Sequence, residues 1–192
     1  MAEVLQLNKI VGSIAGRFEL PLSKSMVNRA LLLAALFPEI TLSGMSTSKD
    51  SQYLKEVLSG YLGEQAYVGD GGTTLRFASA YWACQPGTVQ ELVGSEKLNK
   101  RPIAPLVDAL NSLGGDVRYT STKEEAPLLI HGKHLVGGYY KFGHVASSQF
   151  ITALMLISTK MTQGLHLEWG SVPSQSYLVM AAAILRVAGF NL

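Results

Sequence analysis

The stretch "SKSMVNRALLLAALFP" runs from Ser23 to Pro38. It opens on Ser23, Lys24, Ser25, Asn28 and Arg29, and is then almost wholly apolar until Pro38 stops it. A helix that is apolar all round is buried on every side. Its first turn still presents unpaired N–H groups and a partial positive charge. Polar and cationic residues at the mouth of a buried helix therefore make an anion site.

The same layout returns twice. Polar turns at 71–76 ("GGTTLR") and 146–150 ("ASSQF") precede the apolar stretches "FASAYWAC" and "ITALMLIS". Each of the three helices leads to a strand-like piece ending in glycine: "ITLSG", "QELVG" and "HLEWG". The spacings agree: Lys24 to Gly44 is 20 residues, Gly72 to Gly94 is 22, and Ser148 to Gly170 is 22. A second helix-like stretch then stops at Gly63, Gly114 and Gly189, which lie 19, 20 and 19 residues further on. Asp50 suits the cap of the first of these helices, Pro102 the first turn of the second, and Ser174 or Ser176 the cap of the third. Strands are expected at "QAYV", "DVRYT", "PLLIHG" and "FNL".

Serine or asparagine at a helix start is most often only a cap. Here the polar turn recurs before three buried helices. Three such helices wrapped by sheet predict an α/β fold of inside-out, barrel-like form, with three N-termini pointing one way. Lys24, Arg29 and Arg76 would add charge there.

The bulk numbers narrow the function. Of 192 residues, 47% are apolar and 16% charged, which gives a packed core and argues against disorder. Sixteen Lys and Arg against fourteen Asp and Glu leave a formal charge of +2, too small for bulk nucleic-acid binding. No apolar run reaches the roughly 20 residues of a membrane span. A single cysteine, Cys84, and no signal-peptide pattern point to a reducing, cytoplasmic setting. Cys84 falls in a buried helix and reads as a core residue. The four histidines show no metal-ligand spacing beyond the "HGKH" turn, so no metal is expected.

"LPLSKSMVNRALLLAAL", "VGDGGTTLRF", "KRPIAPLVDALNSLGGDV" and "SSQFITALM" together resemble the 5-enolpyruvylshikimate-3-phosphate synthase family. The resemblance runs in order along nearly the whole chain. It implies a fold of two similar domains, each of three α/β units with buried helices. It implies transfer of the enolpyruvyl group of phosphoenolpyruvate to the 5-hydroxyl of shikimate 3-phosphate, a step of aromatic amino acid biosynthesis, with no metal or organic cofactor. On it, Lys24 contacts phosphoenolpyruvate, with Gly72 and Arg101 beside that substrate. Ser25, Arg29, Ser147, Ser148, Ser174 and Tyr177 hold shikimate 3-phosphate, and Gln149 spans both substrates. Lys24 and Gln149 are the expected catalytic pair.

The sequence departs from the family pattern at Leu22 (usually Gly), Asp70-Gly71 (usually Asn-Ala), Phe77 (usually Pro) and Ser176 (usually Pro). Asp70 is expected to pair with Arg76. The resemblance also assigns residues 1–15 to a strand belonging with a second, C-terminal domain absent from this chain. Residues 16–192 then form the substrate domain, in units of about 16–70, 71–145 and 146–192. The expectation is a half-enzyme that is inactive alone. Two rival readings are a UDP-N-acetylglucosamine enolpyruvyl transferase-like domain and a non-catalytic anion-binding domain. The absence of a loop cysteine and the presence of Ser-Ser-Gln argue against the first.

Overall fold

The computed structural model describes residues 17, 20–60, 63, 65–121 and 124–192; the strand expected over 1–15 lies outside them. Seven helices and six strands follow in the order α1 (Lys24–Leu36), α2 (Lys49–Leu58), β1 (Gln65–Tyr67), α3 (Gly72–Ala83), β2 (Val89–Val93), α4 (Glu96–Asn99), α5 (Ala104–Ser112), β3 (Val117–Tyr119), β4 (Leu128–His131), β5 (Gly138–Lys141), α6 (Ser148–Ile157), β6 (Leu165–Glu168) and α7 (Ser176–Val187). A 3-10 turn, Ser158–Lys160, extends α6.

The three apolar stretches are helices α1, α3 and α6, and they pack against one another. Along α3, every residue from Thr74 to Ala83 is buried, and α6 is nearly as enclosed. Helix α1 keeps an open side at Met26, which is 51% exposed. Met26 belongs to the polar first turn; beyond it Leu31, Leu32, Leu33 and Leu36 are buried.

Two sheets flank these helices. One has the strand order β1-β2-β4-β3, with β1 and β2 parallel and the other pairings antiparallel. The other joins β5 and β6 in parallel. Parallel neighbours need a crossover, and α3 and α6 supply it for β1–β2 and β5–β6 respectively. Strands β2 and β4 alternate inward and outward side chains, so Leu92, Leu128 and Ile130 reach the core. No hairpin intervenes between β1 and α3.

Two expected strands do not form. Residues 40–44 and 190–192 run as irregular chain. A strand exists only where a neighbour completes its hydrogen-bond ladder, and no described strand lies beside either stretch. Conversely, β5 and the single-turn helix α4 carry too few residues to show a period.

The helix ends also differ in detail. Ser48, not Asp50, caps α2, its Oγ accepting from the Ser51 N–H; Asp50 sits inside the first turn. Pro105, not Pro102, occupies the first turn of α5. Gln175 precedes α7 without a side-chain cap, and Ser174 takes a left-handed φ of 59°. Gly114 and Gly189 follow α5 and α7 with positive φ, as read from the sequence. Helix α2 ends at Leu58, ahead of Gly63.

Buried polar side chains on the central helices tie the elements together. Ser51 Oγ donates to Asn28 Oδ1 at 2.6 Å, and Thr74 Oγ1 donates to the Asp50 carbonyl at 3.1 Å. The start of α2 is thereby fastened to both α1 and α3. Among the described residues, no helix is long and apolar enough to cross a membrane.

Leu32 is fully buried at the centre of α1, whereas Val187 at the end of α7 is 90% exposed. Leu32→Ala is expected to lower unfolding free energy by about 2–5 kcal/mol through lost burial and a cavity. Val187→Ala should stay within about 0.5 kcal/mol. Urea denaturation of the two variants measures both.

Candidate functional site

The first turns of α1, α3, α6 and α7 meet around one cavity of about 310 Å³. Helix α1 contributes Lys24, Ser25 and Arg29; α3 contributes Thr73; α6 and the turn before it contribute Ala146, Ser147, Ser148 and Gln149. Pro173, Ser174 and Tyr177 close the side formed by α7. Eight of the residues singled out in the sequence therefore share one wall: Lys24, Ser25, Arg29, Ser147, Ser148, Gln149, Ser174 and Tyr177.

The lining is chemically one-sided. Two side chains are cationic, and all the others but Ala146 and Pro173 supply hydroxyl or amide groups, with helix N–H groups behind them. It carries no carboxylate. Such a surface has the chemistry to hold an anion without needing a charge for every contact.

Arg29 sits in a frame that fixes its direction. Its Nη1 donates to the Ser25 carbonyl at 2.8 Å, and its Nη2 reaches Thr152 Oγ1 at 3.5 Å. The guanidinium lies 5.3 Å from the Tyr177 ring centroid and 5.7 Å from that of Phe77. Phe77, where the family pattern has proline, thus gives Arg29 an aromatic face. Burial pulls the Arg29 pKa down to about 10, with Tyr177 opposing the shift, so the charge persists at neutral pH. A buried cation of this kind gains most when an anion arrives.

Gly72 and Arg101 lie together at α3, next to Arg76. A Cβ on Gly72 would stand 2.9 Å from Arg101 Nη1 and 3.0 Å from Arg76 Nη1. Two guanidinium groups therefore approach the bare α-carbon of Gly72. Arg76 is 3% exposed. Burial, and then the neighbouring charge of Arg101, lower its pKa to about 10. Arg76 does not pair with Asp70, contrary to expectation. Its Nη1 donates to Gln149 Oε1 at 2.6 Å and its Nη2 to the Pro102 carbonyl at 2.9 Å. Asp70 faces solvent.

Sequence reasoning missed Asp50 as part of this region. Lys24 Nζ donates to Asp50 Oδ2 at 2.8 Å. A Cβ on Gly71 would lie 2.6 Å from Asp50 Cγ, so glycine at 71 leaves space for that carboxylate. The signal was present as the Asp70-Gly71 departure, but only the packing of α2 against α3 shows what the glycine makes room for. Leu22 rests on Gly44, where an added Cβ would stand 2.5 Å from Leu22 Cδ1. Ser176 begins α7 and is exposed.

The profile of the family described as EPSP synthase (3-phosphoshikimate 1-carboxyvinyltransferase) matches residues 47–192. The chain belongs to the EPSP synthase family. It is 33% identical over 178 residues to the 3-phosphoshikimate 1-carboxyvinyltransferase of Bacteroides fragilis (strain YCH46), covering 92% of this chain and 43% of that protein. It is 30% identical to the enzyme of that name from Opitutus terrae, covering 97% of this chain and 51% of the relative. Among solved structures, an EPSP synthase from Acinetobacter baumannii matches with a TM-score of 0.73 at 19% identity, over 92% of this chain and 44% of that one. The chain thus spans about half the length of the EPSP synthases it matches.

Cys84 lies apart from the cavity, as a buried residue at the end of α3 whose Sγ donates to the Tyr81 carbonyl at 3.2 Å. Burial pushes its thiol from 9.0 up to about 12. The protonated form is favoured in the folded state. Its contribution to stability is complete below about pH 9 and is lost as pH rises toward 12, because the unfolded thiol releases its proton first. Native protein is expected to resist a thiol-specific disulfide reagent at pH 8 and to react at once in denaturant; a time course of released chromophore measures this.

Proposed function

We propose that this chain supplies the shikimate 3-phosphate-binding half of an EPSP synthase. That enzyme moves the enolpyruvyl group of phosphoenolpyruvate to the 5-hydroxyl of shikimate 3-phosphate and releases phosphate. The observation that carries this reading is the convergence of four helix starts on one cavity whose lining holds no carboxylate, with Arg29 buried and, among the described residues, paired with no acid.

In this reading, Ser25, Ser147, Ser148 and Ser174 donate hydroxyl hydrogen bonds to the phosphate and ring of shikimate 3-phosphate. Arg29 supplies charge, and Tyr177 packs beside the ring. Lys24, Gly72 and Arg101 receive phosphoenolpyruvate. A bare glycine lets the small anion come close to the Arg101 guanidinium, whose planar donors grip a carboxylate or phosphate at two points. Gln149 lies between the substrates. Holding two anions side by side is itself a large part of the rate enhancement, since it prepays the entropy and repulsion of their encounter.

The remaining cations and the proton-transfer groups are assigned to a second half of similar size, consistent with the chain's coverage of its relatives. The inside-out arrangement of three units, the units at 16–70, 71–145 and 146–192, and a cytoplasmic setting belong to the same proposal. The mutual packing of α1, α3 and α6 supports the first of these. The sugar-nucleotide alternative finds no support in the family match. A plain anion-binding domain predicts equal affinity for shikimate 3-phosphate and inorganic phosphate.

Titration of the chain with shikimate 3-phosphate, followed by backbone amide NMR, tests the proposal. Selective shifts at Ser25, Ser147, Gln149 and Tyr177, absent with inorganic phosphate, are expected. Equal responses to both ligands would reject it. Arg29→Ala should weaken shikimate 3-phosphate binding by about 1.5–3 kcal/mol, the range for a charge-assisted bond. The chain alone, given both substrates, is expected to release no phosphate in steady state.

A further inference from the structure

Gln149 meets a donor-only partner on one side and the cavity on the other. The guanidinium of Arg76 carries N–H groups and no acceptor. The amide atom that meets it at 2.6 Å is therefore the Gln149 oxygen. Because the amide is planar, its nitrogen turns away from Arg76. The Gln149 backbone is itself held, since its N–H donates to Ser147 Oγ at 3.2 Å in the first turn of α6.

Arg76 is fixed more firmly than Gln149. It rises from α3 with its guanidinium 4.7 Å from the centroid of the Phe150 ring. The Pro102 carbonyl takes its Nη2, and the residue is almost fully buried. Phe150 follows Gln149 in α6, so one element supplies both the amide and the ring beneath its partner. The side chain has little room to swing, and its hydrogen bonds set the amide from behind.

We infer that Arg76 is a positioning residue that locks the Gln149 amide with its nitrogen toward the cavity, so that Gln149 meets a bound anion as a donor. An amide free to rotate has two orientations of similar energy. One of them would set oxygen lone pairs against a phosphate or carboxylate. The lock removes that orientation before any ligand arrives. Arg76 does so from behind, without appearing in the cavity wall. The inference deepens the proposed function and rests on it for the ligand, but the amide orientation stands without it.

The test joins a ligand-free measurement to a binding measurement. In the side-chain amide NMR spectrum, Arg76→Met is expected to move the Gln149 NH2 pair and speed its rotation, while Arg76→Lys, which keeps a donor against the oxygen, preserves the pattern. In the shikimate 3-phosphate titration, Arg76→Met and Gln149→Ala should each lose about tenfold in affinity. The double variant should lose about the same, because the two residues act as one unit. An unmoved Gln149 pair in Arg76→Met, or a double variant that loses the product of the two single effects, overturns the inference. Should Arg76→Met fail to fold in its backbone spectrum, a folded Arg76→Lys with a displaced Gln149 pair overturns it, and a preserved pair sustains it. A wild-type chain that does not bind shikimate 3-phosphate defeats the functional reading, while the amide spectrum still decides the role of Arg76.

Discussion

A buried helix satisfies its own backbone everywhere except at its ends, where the first turn leaves unpaired N–H groups. The structure rests on placing several such starts at one surface. Helices α1, α3 and α6 bury their apolar lengths against one another, and α7 brings its first turn to the same place. Burial of the apolar bodies drives the assembly. The unburied mouths then face each other around a cavity, and their dipoles add. The candidate binding surface is thus a consequence of the core, with no separate scaffold needed to hold it.

That arrangement concentrates positive charge, and the protein manages it by three different means. Arg29 is clasped by the Ser25 carbonyl and the rings of Tyr177 and Phe77. Arg76 is turned to neutral acceptors, the Gln149 amide and the Pro102 carbonyl. Lys24 has a carboxylate, Asp50, and that pair is partly exposed. Burial makes the first two costly in the empty protein, and an exposed ion pair is worth little in water. The site is therefore held ready by its core and its neutral hydrogen bonds, with its charge left available.

Much of the candidate site was legible in the sequence. Polar turns before apolar runs located α1, α3 and α6, and with them Lys24, Ser25, Arg29, Ser147, Ser148 and Gln149. The β1, β2, β3, β4 and β6 segments were also legible. The stretches at 40–44 and 190–192 were not, because a strand depends on a neighbour that its own residues do not specify. Asp50 was read as a cap, because a carboxylate at a helix start has that local explanation. Its contact with Lys24 depends on α2 packing beside Gly71.

Periodicity and turn residues by themselves determined which of the longer segments are helices, which of those are buried, and that cations and hydroxyls stand at their mouths. Those features are local, since each depends on residues within a few positions of one another. Only the tertiary structure decided that Arg76 faces Gln149 and not Asp70, that Arg101 lies against Gly72, and that Asp50 holds Lys24. Each of these joins residues from different helices or loops. Their meeting is set by how apolar faces pack, which the order of residues along one segment does not express.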